Sequence, residues 1–341
     1  MSLLFFLINI ILNSPYLYQP INRMKNKIKL IINKSEITAG TRGSSLGPEA
    51  MMAAARRIDN LFFGKYPIAY VKDENHLLDE KVKYPFAKRI EGLVQVFESV
   101  SSEVKSVIEE NNFPVVVSGD HGSAGGTITG IKAAYPNKRL GVVWIDAHGD
   151  LHTPYTTPSG NMHGMPMATA LAEDNKQVQK NEISSEEVKL WNELKTMHTN
   201  VPRVKPEDLV FIAVRDTEEQ ENALIERFEI TNHLVDQVRS KGKKAIMHEI
   251  LSQLNECDII YVSFDVDSMD PVHTSHGTGT PVENGLFPDE AEYFLTELAK
   301  NKKTVCIEFV EVNPCLDEKT NKMAEVAFDL LEKTINELEN S

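Results

Sequence analysis

Three short strings concentrate acidic and imidazole side chains: Gly119-Asp120-His121-Gly122, Asp146-Ala147-His148-Gly149-Asp150 and Asp265-Val266-Asp267. Each follows an apolar, β-branched run. In extended backbone, residues i, i+2 and i+4 project to one side, so the spacing predicts that Asp146, His148 and Asp150 converge, as do Asp265 and Asp267. Four carboxylates gathered away from water repel one another, and burial disfavours their charged forms. No lysine or arginine lies within these strings to compensate. Two divalent cations would balance the four charges, with His121 and His148 adding nitrogen donors. Six donors serve two metals only if some carboxylates bridge, an arrangement that activates water for attack. Oxygen-rich ligation with a minority of imidazole favours manganese over zinc or copper. The bland reading of any one string is a helix cap at a strand end. Three strings with two histidines interleaved favour the metal.

The elements that must position these strings follow from the hydrophobic pattern. Apolar runs at residues 28–32, 114–118, 140–145, 209–214, 259–264 and 304–309 read as strands buried on both faces. Helix-period segments alternate with them, notably 48–58, 86–110 and 319–340. Such alternation predicts a three-layer α/β/α fold around a mainly parallel sheet. In open sheets of this kind ligands bind beyond the carboxyl ends of the strands, which is where all three strings fall. The glycine-rich run at residues 122–126 lacks the ending of a phosphate loop and is expected to permit close approach of helix and strand.

Composition narrows the function classes. The chain has 341 residues, 41% hydrophobic and 25% charged, with a formal net charge of −14 and no basic stripe, so nucleic acid is not an expected partner. Three cysteines without CxxC spacing argue against a disulfide scaffold or a thiolate zinc site and fit a reducing, cytoplasmic setting. The apolar segment 3–12 is too short to span a bilayer and no basic residue precedes it, so no membrane association is expected. Residues 1–23 read as an extension outside the core, with Met24 an alternative start just before the first strand. Residues 24–341 read as a single domain.

The strings, taken with others, resemble the motifs of the ureohydrolases. Ser118-Gly119-Asp120-His121, residues 144–150, Ser159-Gly160-Asn161-Met162-His163-Gly164, residues 263–271, Gly277-Thr278-Gly279-Thr280-Pro281 and Glu311-Val312-Asn313-Pro314 occur in that family's order. The likeness is greatest to the arginase branch, whose members convert L-arginine and water to L-ornithine and urea with two Mn2+ ions. The resemblance implies an arginase-like fold with a binuclear site. It implies that His121 and Asp150 bind one metal, His148 and Asp267 the other, and that Asp146 and Asp265 bridge. A metal-bridging hydroxide would attack the guanidinium carbon, His163 would shuttle the proton to the leaving amine, and Glu311 would hold the guanidinium. Ser159, Asn161 and Thr280 would belong to the substrate site, as would His152, Glu218 and Glu221. A homo-oligomer, trimer or hexamer, is implied as well.

Two departures bear on the substrate tail. His152 stands where the family pattern has asparagine, and Glu218 where it has aspartate. Arginine is the expected substrate; agmatine, guanidinobutyrate or formimidoylglutamate is the alternative. A single-zinc amide hydrolase of the histone-deacetylase kind would not need both His121 and Asp150, and a noncatalytic binding protein would be expected to have lost ligands.

Overall fold

The computed structural model describes residues 27–198 and 202–341; the 1–23 extension and Met24 lie outside the described residues. Eight strands form one sheet: β1 (Ile28–Asn33), β2 (Ile68–Tyr70), β3 (Phe113–Ser118), β4 (Leu140–Ile145), β5 (Leu209–Ile212), β6 (Thr231–His233), β7 (Ile259–Asp265) and β8 (Thr304–Val310). Their order is β2-β1-β3-β8-β7-β4-β5-β6, and every pairing is parallel. The four central strands, β3, β8, β7 and β4, are therefore neighbours, and they are the strands that precede the three chemical strings and Glu311.

Both faces of the sheet are buried, which accounts for the near-continuous apolar runs. Leu30, Ile32, Val115, Val117, Val143 and Ile145 pack into one core with the helices Gly47–Arg57, Pro288–Lys300 and Lys322–Asn340. Ile31, Val116, Val142 and Trp144 pack into the other with Ile90–Glu109, Ala124–Ala134 and Ser185–Thr196. Alternate residues of each strand thus feed opposite layers, giving the three-layer α/β/α architecture. Pro48 sits in the first turn of its helix, where its missing N–H is not needed.

All six strands read from the sequence are present. The strands β2 and β6 were not anticipated: each is three residues long at a sheet edge, too short to carry a periodic signal. The strand read as 209–214 stops at Ile212, because Ala213 adopts a left-handed φ of 70°. The glycine-rich run works differently from expectation. It brings helix to helix: a Cβ on Gly125 would stand 2.2 Å from the Phe97 ring, and one on Gly126 would stand 3.0 Å from the Phe97 Cα. Among the described residues no helix is long and apolar enough to cross a membrane.

Candidate metal centre

The acidic and imidazole side chains meet at the carboxyl ends of β3, β4 and β7, but extended backbone is not what aims them. β4 ends at Ile145, and residues 146–150 form a bent segment in which Asp150 has a φ of 51°. Asp146 turns the chain by accepting the His148 N–H on Oδ1 at 2.7 Å. Asp265 does the same for Asp267 N–H at 2.8 Å. These are side-chain-to-backbone turns, which aspartate favours. Asp267 Oδ1 also accepts the Ala147 N–H at 3.1 Å, tying the two strings together.

The result is two groups of donors sharing one carboxylate. His121, Asp146 and Asp150 each offer an atom within 4.8 Å of the others, as do Asp146, His148 and Asp267. His121 Nδ1 lies 3.0 Å from Asp146 Oδ2 and 3.2 Å from both Asp150 Oδ2 and Asp265 Oδ2. His148 Nδ1 lies 3.1 Å from Asp267 Oδ2 and 3.4 Å from Asp146 Oδ1. The two oxygens of Asp146 therefore face different imidazoles. His121 Nδ1 and Asp146 Oδ2 are buried without a hydrogen-bond partner. Buried polar atoms are rarely left so, and a cation between them would satisfy both. On this ground the residues fit a pair of divalent ions.

The proton balance of the cluster agrees. Burial opposes charge on His121, but the carboxylates of Asp146 and Asp265 beside its ring hold its pKa well above the usual imidazole value. The His148 pKa is likewise raised: Asp267 and Asp146 outweigh burial. Burial and neighbouring carboxylates push Asp150 and Asp265 well above the usual carboxylate range, whereas the two imidazoles hold Asp146 below it against burial. Without cations these imidazoles and two of the carboxylates keep their protons to higher pH than in water.

Above the cluster lies a cavity of about 250 Å³. Its lining includes His121, His148, Asp150, Asp265 and Asp267 on the floor, with His152, Ser159, Asn161, His163, Glu218, Glu221 and Thr280 around it. No lysine or arginine is among the lining residues, so the cavity favours a cationic guest. Burial, with His148 and His121 nearby, lowers His163 to a pKa of about 4. Thr280 donates to Asp267 Oδ2 at 3.1 Å. His152 Nε2, itself without a hydrogen-bond partner, stands 3.3 Å from Glu218 Oε2 and 3.6 Å from Glu221 Oε2. Glu221 spends its oxygens on backbone, accepting from Leu151 N–H and Glu218 N–H at 3.1 Å each. Ser159 Oγ accepts the Asn161 N–H, and Asn161 Oδ1 accepts from Lys88 Nζ, both at 3.1 Å.

Glu311 is placed differently from the rest. It is buried at a φ of 66°, is not among the residues lining the cavity, and accepts the His121 N–H on Oε1 at 2.8 Å. Burial, then Asp120, pushes its pKa up to about 8. Asp120 and Asp270 are structural: Asp120 accepts from Ser35 Oγ and Thr38 N–H, and Asp270 from Val272 N–H. Several contributors went unremarked in the sequence. Thr157, Pro158 and Asp216 line the cavity, and Asp216 Oδ2 is 3.7 Å from His148 Nε2. Trp144 stacks on the His121 ring at 4.0 Å with 2° between planes, and Ser263 Oγ lies 2.8 Å from His121 Nε2. Trp144 and Ser263 belong to quoted motifs, but aromatic and hydroxyl residues inside a strand carry no chemical signal of their own.

Comparison with known proteins identifies the relatives of this site. The model of the Arginase family matches residues 28–336. Arginase of Bacillus subtilis is 33% identical over 319 residues, 92% of this chain and 98% of its own length. Arginase of Bacillus caldovelox is 34% identical over 298 residues, 85% of this chain and 91% of its own. The native structure of the Bacillus caldovelox arginase superposes with a TM-score of 0.74 at 31% identity, covering 93% of this chain and 99% of that one. A solved Bacillus subtilis arginase gives a TM-score of 0.73, covering 91% and 98%. With a family model spanning nearly all its described residues and relatives above 30% identity along most of its length, the chain belongs to the arginase family.

Proposed function

We propose that this protein hydrolyses L-arginine to L-ornithine and urea with two Mn2+ ions per chain, in the cytoplasm and as a homo-oligomer. The observation that carries the reading is the pair of donor groups sharing Asp146 beneath a cavity with no cationic lining residue. His121, Asp146, Asp150 and Asp265 would hold one ion and His148, Asp146, Asp265 and Asp267 the other. When bound, such a pair lowers the pKa of a water between its ions, making a nucleophile available near neutral pH.

The chain's own residues do the rest. The acidic cavity draws in the cationic guanidinium and leaves anions outside. Glu311 lies close behind the cavity wall, with Oε2 carrying no hydrogen bond among the described residues; a guanidinium arriving there would supply the positive charge that its raised pKa calls for. His163, held neutral by its lowered pKa, takes up a proton and passes it to the departing amine. Ser159 and Asn161 offer hydroxyl and amide groups to a substrate carboxylate, and Glu218 offers an acceptor to an ammonium group.

A second reading is hydrolysis of another guanidino compound such as agmatine, and the contact of His152 with Glu218 and Glu221 favours it. Those two carboxylates occupy the imidazole that would otherwise meet a substrate carboxylate. Urea release measured with manganese, and again after chelation, on arginine and agmatine in parallel tests both. A kcat/KM for arginine at least tenfold above that for agmatine supports the first reading. Preference for agmatine supports the second, and urea release unaffected by chelation contradicts both.

A further inference from the structure

A substrate tail that ends in a carboxylate would meet repulsion in this cavity. Beyond the proposed metal ligands Asp216, Glu218 and Glu221 line it, and no lysine or arginine does. A cation stands directly behind the lining at Asn161. Lys88, in the segment leading into the helix Ile90–Glu109, donates from Nζ to Asn161 Oδ1 at 3.1 Å. It forms no ion pair among the described residues, so no carboxylate of the protein cancels its charge.

The segment that carries Lys88 is built against the Ser159-Gly160-Asn161 loop. The Lys88 N–H donates to the Gly160 carbonyl at 2.9 Å. Gly160 has a φ of 75°, and a Cβ there would stand 1.9 Å from the Pro85 carbonyl oxygen, so glycine is what lets the two segments come this close. The side-chain contact adds direction. An ammonium has protons to give and no lone pair to receive one, so the atom that faces Lys88 must be the amide oxygen of Asn161. The NH2 end is thereby turned away from Lys88 and lies beside Gly40, where a Cβ would stand 3.0 Å from Nδ2. Asn161 lines the cavity, and its Nδ2 donates no hydrogen bond among the described residues. With the amide turned over, its oxygen would take that place and repel a carboxylate.

We propose that Lys88 is a positioning residue that determines specificity: by holding Asn161 Oδ1 it keeps the amide donors, backed by its own positive charge, available to a substrate carboxylate, and so selects guanidino acids over decarboxylated guanidines. The proposal rests on arginine being the substrate of this site, and its test keeps the two claims apart. Values of kcat and KM are measured for arginine and agmatine with the manganese-loaded, full-length wild type, Lys88→Met and Lys88→Arg. Wild-type protein with no preference for arginine overturns the substrate reading, and the proposal with it. Given that preference, Lys88→Met keeps the apolar stem and loses the charge and the donors. It is expected to lower the arginine-over-agmatine ratio of kcat/KM by about 3- to 30-fold, as loss of a hydrogen bond to a charged group would, with the loss falling on KM for arginine and not on kcat. Lys88→Arg retains charge and donors and is expected to keep the ratio within about threefold of wild type. A smaller fall in Lys88→Met, or a loss carried by kcat for both substrates alike, overturns the proposal and leaves the substrate reading standing. Calorimetric binding of L-ornithine and of putrescine to the same proteins repeats the comparison without turnover. Weaker binding of ornithine alone in Lys88→Met supports the proposal, and equal weakening of both, or of neither, overturns it.

Discussion

Loading the cluster with divalent cations is expected to expel protons, because the same side chains that would hold the ions hold protons firmly without them. His121, His148, Asp150 and Asp265 all have pKa values raised well above their ordinary ranges, so without metal each keeps its proton to a higher pH than it would in water. Groups with raised values give up their protons only as the pH climbs through those values, whereas a metal needs the unprotonated donor. Affinity must therefore rise with pH and be lost as pH falls. Each proton displaced on binding changes the affinity by about 1.36 kcal/mol per pH unit. In affinity that is about tenfold per pH unit for each proton displaced. Calorimetric titration of metal-stripped protein with manganese between about pH 6 and pH 8, in buffers of different ionisation enthalpy, measures both quantities. Binding that is independent of pH, with no net proton release, would refute the proton-for-metal exchange.

Other substitutions probe single contacts. Asp146→Asn removes the carboxylate common to both donor groups, so bound manganese and urea release are expected to fall together; two tightly bound ions in this variant would show that Asp146 does not bridge. His163→Asn is expected to lower kcat by about 10²- to 10⁴-fold with both metals retained, as loss of an acid–base group would, and loss of metal on elemental analysis would make His163 a ligand instead. Gly125→Ala places a Cβ 2.2 Å from the buried Phe97 ring and should cost about 1–3 kcal/mol. Thermal melting should report that loss without a change in metal stoichiometry; an unchanged Tm would mean that the two helices can separate freely.

The central strands were legible because burial on both faces makes each a continuous apolar run, and the donors were legible because carboxylates at two-residue spacing have few uses at a strand end. The mechanism that aims them was not. Asp146 and Asp265 bring their neighbours round by side-chain turns, and the positive φ of Asp150 does what extended backbone was expected to do. The edge strands at Ile68–Tyr70 and Thr231–His233 were missed because three residues cannot display a period. Ser263 and Trp144 were silent for a different reason: they meet His121 across strands far apart in sequence, a relation fixed by the order β3-β8-β7-β4 and by no local pattern. The substrate tail region was legible by residue type at Ser159 and Asn161, yet the commitment of Glu221 to two backbone amides and of Asn161 to Lys88 appears only once the loops are folded.

The account stands on cations replacing protons between Asp146 and its two facing imidazoles. Elemental analysis of folded, dialysed protein after incubation with excess manganese measures this most directly. Two Mn2+ per chain is the expected result; a chain that retains none, or only one, would contradict it.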